Sequence, residues 1–408
     1  MSTIVIVGSS VGGVRTAQAL RANGHVGQIV LIGEESELPY DKPPLSKALL
    51  SGAADTKSIR LLTHDAAEAI DVTLLLGHRA VGVDVATRAV QFENHEPITY
   101  DKLVVATGAS ARPSPWGARL GVHVVRTLQD SQQLRADLLK GGPLVVVGAG
   151  FIGAEIASTA RLLGLEVTVV DPQPVPMSRV FNTEIGKWFV DLHHRHGTKV
   201  ILGVGVEGID GERGQLQVRL TDGRILDAAT VVVGIGAKPN DEWLEASGLL
   251  IDNGLVCDQY CRAIDDSNVF AVGDVARWFH RGNGVDMRAE HWTNAVDQAQ
   301  CVAHNITRPD DLHAYEPIAY VWSDQYDWKI QVAGRTGEDL GHVIVGDPHT
   351  DEKFAALYTD DGQRLAGAAT VNWPRALVEC RRALNATTDV SVADMHSRLS
   401  SAVPVARN

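Results

Sequence analysis

Residues 144–157 read LVVVGAGFIGAEIA, and residues 4–17 read IVIVGSSVGGVRTA. Each is a short apolar run that ends in a glycine-rich turn and passes straight into a helix-like stretch. After the first turn, with Gly8, Gly12 and Gly13, the helical pattern ends near Gly24, a strand covers Gln28–Ile32, and Glu34 follows. After the second, with Gly148, Gly150 and Gly153, the pattern ends near Gly164, a strand covers Val167–Val170, and Asp171 closes it. Both are βαβ units. In such a turn the first glycine permits the tight bend, the second lets the backbone approach a pyrophosphate, and the third lets helix and strand pack closely. The pyrophosphate sits on the helix N-terminus, and an acid ~20 residues further on takes the ribose hydroxyls. A lone glycine triplet is also what a merely tight β-α turn looks like. Here strand, helix and terminal acid accompany both triplets, so dinucleotide binding is the reading. Ser10 replaces the second glycine of the first turn, which makes that copy the weaker one. Two dinucleotide sites in one chain fit one tightly held flavin and one exchangeable nicotinamide, because hydride transfer needs the two rings face to face.

The chain has 408 residues, enough for more than one core, since single cores stop growing beyond ~250–300 residues. It is 45% hydrophobic and 21% charged, with no low-complexity tract, as in ordinary globular proteins. No apolar run approaches the ~18 residues of a membrane span, and the first strand begins too early for a signal peptide, so the cytoplasm is the expected compartment. Four cysteines, Cys257, Cys261, Cys301 and Cys380, do not make a disulfide framework in a chain of this length. A net charge of −13 argues against non-specific nucleic-acid binding, which needs a basic surface to release counterions.

Between the turns, YDKLVVATGASARP (100–113) gives a buried strand ending in Ala106-Thr107-Gly108 and then a proline-containing crossing segment that marks a domain boundary. The second unit ends alike, with TVVVGIGAKPN (230–240), preceded by a hairpin in LQVRLTDGRIL (216–226) around Asp222-Gly223. The chain therefore contains a diverged internal repeat. A further strand, in SNVFAVGDVARW (267–278), ends in Gly273-Asp274.

With these stretches in place the chain resembles the NADH-dependent ferredoxin reductases of bacterial oxygenase systems, within the two-dinucleotide-binding-domain flavoproteins. The resemblance runs almost end to end and is carried by LPYDKPPLSK (38–47), VVATGA (104–109), VFAVGD (269–274), EHWTNAVDQA (290–299) and VWSDQYD (321–327). It implies an α/β protein with two Rossmann-like domains, one for FAD and one for NAD, plus a C-terminal α+β domain. The FAD domain would be discontinuous, 1–112 and 244–315, the NAD domain would be 113–243, and the C-terminal domain 316–408. The activity implied is electron transfer from NADH through FAD to a [2Fe–2S] ferredoxin, which feeds a cytochrome or Rieske-type oxygenase.

The resemblance also assigns residues. For FAD it implies the turn glycines, Glu34 at the adenosine ribose, Lys42 at the phosphates, Val81 at the adenine, Ala106, Thr107, Gly108, Arg126, and Asp274 at the ribityl chain. Lys47 would sit by the flavin, where a cation favours negative charge on the ring. Trp292 opens a helix-like stretch whose N-terminus would stabilise negative charge at the pyrimidine edge, and Trp322 would line the ring. For NADH it implies Ile152, Glu155 near the nicotinamide amide, Asp171 at the ribose, Arg179 and Gly236. Asp171 predicts NADH over NADPH, since a 2′-phosphate would meet a like charge. Each assignment has a bland counterpart: a solvated loop acid, a surface lysine, a structural ion pair, or a core tryptophan.

No cysteine precedes position 257, so the redox thiols of the related disulfide reductases have no counterpart, and Cys257 and Cys261 read as packing residues. HHRH (193–196) reads as a solvated helix end, and no metal site is expected. Two other readings share the fold: an NADH oxidase or rubredoxin-type reductase, and an NADH-sensing interaction protein resembling apoptosis-inducing factor.

Overall fold

Ile4–Val7 and Ile29–Gly33, the apolar runs flanking the first glycine turn, are buried along their whole length, as parallel strands covered on both faces are. In the computed structural model, which describes residues 2–281, 284–350, 353–386 and 390–401, they pair in parallel with Ile4 opposite Ile29. The full parallel sheet runs Val269–Ala271, Lys102–Val105, Ile4–Val7, Ile29–Gly33, Val72–Leu76. The chain leaves Ile4–Val7 toward one neighbour and later returns on its other side. In such sheets ligands bind beyond the carboxyl ends of the strands at this reversal. Helix Val11–Ala22 packs on helix Trp292–Thr307, and a Cβ on Gly12 would lie 3.0 Å from Val272 Cγ1 and 3.8 Å from Ala295 Cβ. These elements belong to a first unit of Met1–Pro43, Asp55–Ser110 and Ala237–Pro317.

The second unit, Pro44–Ala54, Ala111–Gly236 and Ile318–Asn408, contains the repeat. Its parallel sheet runs Lys199–Leu202, Val167–Asp171, Leu144–Val147, Thr230–Val233, Val122–His123, again with the order reversing at the strand that enters the glycine turn. A small antiparallel sheet, Val206–Glu212, Gln215–Leu220 and Ile225–Ala228, includes the expected hairpin, with Gly223 at φ +87°. The C-terminal part is a five-stranded antiparallel sheet, in the order Tyr320–Gln325, Trp328–Gly334, Gly367–Val371, Phe354–Thr359, Gly341–Val345, with helices Pro374–Leu384 and Val392–Ser400. The class is α/β with two Rossmann-like halves and a C-terminal α+β domain, as the sequence implied.

Two local expectations change. Pro44–Ala54 lies inside the stretch expected for the FAD domain, yet it clusters with the second unit, because Leu50 is buried among Leu134, Leu138 and Ile156. The HHRH segment is not wholly a solvated helix end. His193 is fully buried beside Tyr326, whose hydroxyl lies 2.9 Å from its Nδ1, and burial holds that imidazole down at a pKa of about 4. Helix Thr183–Arg195 is amphipathic and sets Trp188 and Phe189 against Phe354 and Trp328, which leaves His193 on the inward face. Among the described residues, no helix is long and apolar enough to cross a membrane.

Candidate functional site

In the first unit the turn after Ile4–Val7 is made by backbone contact. Gly8 has φ +116°, and a Cβ there would meet Ala106 O at 2.1 Å. A Cβ on Gly13 would lie 1.8 Å from Gly8 O, so the helix can start this close to the strand only because residue 13 is glycine. Ser10 is the N-cap of the helix, extended at φ −87°, and its hydroxyl makes no cap bond. At the neighbouring strand end, Gly108 has φ +67°, Thr107 Oγ1 donates to Asn240 O at 2.8 Å, and Asn240 Nδ2 donates to Thr107 O at 2.9 Å. Glu34 follows the second strand with its side chain 64% exposed, 3.9 Å from Arg79 Nε.

Of the other residues expected around the flavin, Lys42, Val81, Asp274 and Trp292 lie in the same unit, whereas Lys47, Arg126 and Trp322 lie in the second. Asp274 sits half-buried in the short turn Gly273–Val275, where the Gly273 N–H donates to Gln298 Oε1 at 2.8 Å and Asp274 O accepts from Arg288 at 3.0 Å. Trp292 is the first residue of its helix, which carries no acid in its first turn, and its indole N–H donates to Asp41 Oδ1 at 2.7 Å. Lys42 Nζ is 3.5 Å from Glu35 Oε1 and 4.9 Å from the Tyr40 ring centre. Val81 is exposed on strand Ala80–Asp84.

The second turn repeats the construction in the second unit. Gly148 has φ +106° with a would-be Cβ 2.3 Å from Gly234 O, and a Cβ on Gly153 would lie 2.0 Å from Gly148 O. Gly150 is different. Its φ of −75° suits any residue, and a Cβ there would meet no atom within 4 Å. Neither backbone conformation nor packing demands glycine at 150, which leaves close approach by a bound pyrophosphate as the physical reason. The residues present therefore fit a dinucleotide. Asp171 does more than face outward: its Oδ2 accepts from the Ala149 N–H at 2.6 Å and its Oδ1 from the Gln173 N–H at 2.8 Å. Ile152 is half-exposed in the first turn of helix Phe151–Leu162. Arg179 Nη1 and Arg112 Nε lie 4.0 and 3.9 Å from the Cβ position of Gly236, which puts two guanidinium groups beside this loop. Arg126 precedes helix Leu128–Leu138, and its N–H donates to Asp130 Oδ2 at 3.0 Å.

Also in the second unit, Lys47 and Glu155 form an ion pair, Nζ to Oε2, at 2.7 Å. Sequence reasoning named both but missed that Glu155 is also bonded to the hydroxyls of Ser46 and Ser323, each at 2.6 Å. Lys47 is 20% exposed and Glu155 2%, so the lysine, not the acid expected at the nicotinamide, is the member that reaches the surface. Trp322, next to Ser323, is half-buried and stacks with Tyr320 at 6.1 Å between ring centres.

Gln298, which accepts from the Gly273 N–H, also donates to Cys261 Sγ at 3.3 Å. Cys257 and Cys261 are fully buried, and burial pushes both thiols up, as expected of packing residues. The structure brings together His304, Asp311 and His313, which sequence spacing did not suggest, with each histidine Nε2 3.7 Å from Asp311 Oδ2. The two rings are stacked at 3.7 Å, 16° from parallel, and His304 Nε2 is 2.8 Å from Asp311 O. The ligand atoms of the three residues lie within 4.8 Å of one another.

The chain matches the family model described as pyridine nucleotide-disulphide oxidoreductase over residues 2–299, and the reductase C-terminal model over 320–402. It is 38% identical to rhodocoxin reductase of Rhodococcus erythropolis, across 94% of this chain and 89% of that protein. It is 38% identical to the ferredoxin–NAD(+) reductase component of the anthranilate 1,2-dioxygenase system of Burkholderia cepacia, across 94% of each. The solved covalent complex of putidaredoxin reductase with putidaredoxin superposes with a TM-score of 0.91 at 30% identity, covering 97% of this chain and 95% of that one.

Proposed function

Since the chain belongs to the pyridine nucleotide-disulphide oxidoreductase family, we propose that it is an FAD-containing reductase that takes electrons from NADH and delivers them to a [2Fe–2S] ferredoxin serving an oxygenase. The observation that carries this reading is the pair of glycine cradles, with position 150 kept open where the protein itself does not need glycine. Bound FAD supplies the chemistry: it accepts a hydride and gives up electrons one at a time. The chain's part is to bind and orient. Gly8, Gly12 and Gly13 bring the backbone against FAD, with Glu34 at its ribose. Gly148, Gly150 and Gly153 do the same for NADH, with Arg179 beside Gly236 and the exposed Ile152 at the helix start. Asp274 and Trp292 complete the first unit's part of the flavin's surroundings.

The domains on this reading are 1–112 with 244–315 for FAD, apart from the Pro44–Ala54 segment that clusters with the second unit, 113–243 for NAD, and 316–408 at the C-terminus. The compartment is the cytoplasm, where NADH and ferredoxin are at hand.

Asp171 sets the nicotinamide preference. Its carboxylate is held by the Ala149 and Gln173 N–H groups, and at the ribose its charge would oppose a 2′-phosphate. NADH should therefore bleach the anaerobic yellow protein far faster than NADPH does. Asp171→Asn keeps an acceptor for the turn but removes the charge, and should narrow the gap by about tenfold or more, since like-charge contacts cost several kcal/mol. Stopped-flow absorbance at the flavin band measures both. A wild type that prefers NADPH would make Arg179 the determinant and overturn the assignment.

A further inference from the structure

His304, Asp311 and His313 are brought to one place in the first unit by a buried clamp. Asn305 follows His304 on helix Trp292–Thr307 and is 2% exposed. Its Oδ1 accepts from the His313 N–H at 2.8 Å and its Nδ2 donates to His313 O at 3.0 Å, so one side chain grips the backbone of His313 at both its polar groups. The Cys301 thiol donates to the same carbonyl at 3.3 Å. Between the two histidines the chain turns back on itself, with the Arg308 N–H bonded to His304 O at 2.8 Å and the Asp311 N–H to Arg308 O at 3.0 Å. The placement of His313 beside His304 is therefore set by backbone bonds. Both imidazoles turn an Nε2 toward one carboxylate oxygen, each 3.7 Å from Asp311 Oδ2. Zinc holds nitrogen and oxygen ligands at ~2.0–2.2 Å, which in a tetrahedron spaces the ligand atoms ~3.3–3.5 Å apart. These two separations need to close by only a few tenths of an ångström, and Asp311 and His313 are exposed enough to turn. Two imidazoles and one carboxylate suit zinc better than magnesium or calcium, which take all-oxygen shells.

We propose that His304, Asp311 and His313 form a binding site for one zinc ion, with the Nε2 of each histidine and an Asp311 carboxylate oxygen as ligands and water completing the shell. The ion ties the loop after helix Trp292–Thr307 to the helix a second time, beside the Asn305 clamp. Arg308 opposes it. Its Nη1 lies 3.2 Å from His304 Nδ1 and can only donate, so Nδ1 accepts and the ring proton sits on Nε2, which faces Asp311 O at 2.8 Å. Zinc takes the place of that proton, the proton moves to Nδ1, and the exposed Arg308 swings away. The site stands at the opposite end of its helix from Trp292, ~18 Å along the axis, and does not depend on the reductase reading.

The test is isothermal titration of zinc sulfate into the FAD-loaded, untagged protein after a chelating resin has stripped it of metal. One zinc per chain should bind, with a dissociation constant of about 1–10 µM. His304→Ala and His313→Ala should each weaken binding by about 30-fold or more, and Asp311→Asn by about tenfold. Arg308→Ala should tighten it by about threefold or more, because it removes both a cation and the donor that holds His304 in the opposing tautomer. Magnesium in large excess should leave the zinc isotherm unchanged. Zinc at ~100 times its dissociation constant should raise the melting temperature by about 2–6 °C in the parent and by less than half of that in His313→Ala. FAD content and reduction by NADH should match the parent in His313→Ala, whose side chain is 60% exposed. Should His304→Ala fail to fold, His313→Ala and Asp311→Asn carry the same test. The absence of saturable binding in the parent would overturn the inference. So would zinc binding undiminished in His313→Ala and Asp311→Asn, which would place the ion elsewhere among the 15 histidines of the chain.

Discussion

Gly13→Ala should yield a chain that purifies without FAD and colourless, whereas Gly153→Ala should yield yellow protein that NADH no longer bleaches. Both changes drive a methyl group into backbone, 1.8 Å from Gly8 O in one case and 2.0 Å from Gly148 O in the other. Neither carbonyl can simply retreat. The Gly8 N–H is bonded to Ile32 O and the Gly148 N–H to Val170 O, each at 2.8 Å, so the turns are tied to the next strand. Forcing atoms into packed structure costs typically 1–3 kcal/mol and displaces backbone. The displaced groups are the N–H donors that would face the pyrophosphate, so a loss of about 100-fold or more in affinity is expected at the altered turn. Flavin absorbance per chain after purification, and bleaching by NADH, read the two turns separately. A yellow Gly13→Ala protein beside a colourless Gly153→Ala protein would reverse the assignment of turns to cofactors.

Gly150 should behave differently. Alanine at 150 fits the observed φ and ψ and meets no atom within 4 Å, so melting temperature and FAD content should match the parent within error. The NADH concentration for half-maximal reduction should nonetheless rise, by roughly tenfold for alanine and much more for valine, because the added carbons occupy the path of the pyrophosphate. Unchanged NADH dependence in both variants would mean that no dinucleotide approaches this turn.

The strands, turns and helix starts were legible because they are written in local pattern: apolar runs of strand length, glycines at fixed offsets, and an acid at the end of the next strand. What escaped notice depends on contacts between distant segments. Ser46 and Ser323 reach Glu155 from 109 and 168 residues away in the chain, and a serine in a loop or strand carries no signal of its partner. His193 sits among other polar residues at a helix end, and its burial follows from the turn of the helix that the aromatic face of Trp188 and Phe189 dictates. Pro44–Ala54 was read with its sequence neighbours, although Leu50 fills a core built by residues 134–169. Asp171 was expected at a ribose, but its bond to the Ala149 N–H also makes it part of the turn, and spacing alone does not separate those roles.

The central claim is that electrons arrive from NADH and leave to a ferredoxin, and rapid mixing tests it most directly. The net charge of −13 means that an acidic ferredoxin must find a local basic patch, and exposed charges are screened over ~8–10 Å at ordinary ionic strength. Anaerobic mixing with NADH should reduce the protein at a rate that changes little between low and moderate salt. Mixing the reduced protein with its [2Fe–2S] ferredoxin should bleach the iron–sulfur absorbance within the turnover time, and more slowly as salt rises. The contrary result would be reduced protein that passes electrons to oxygen or a disulfide far faster than to any ferredoxin offered.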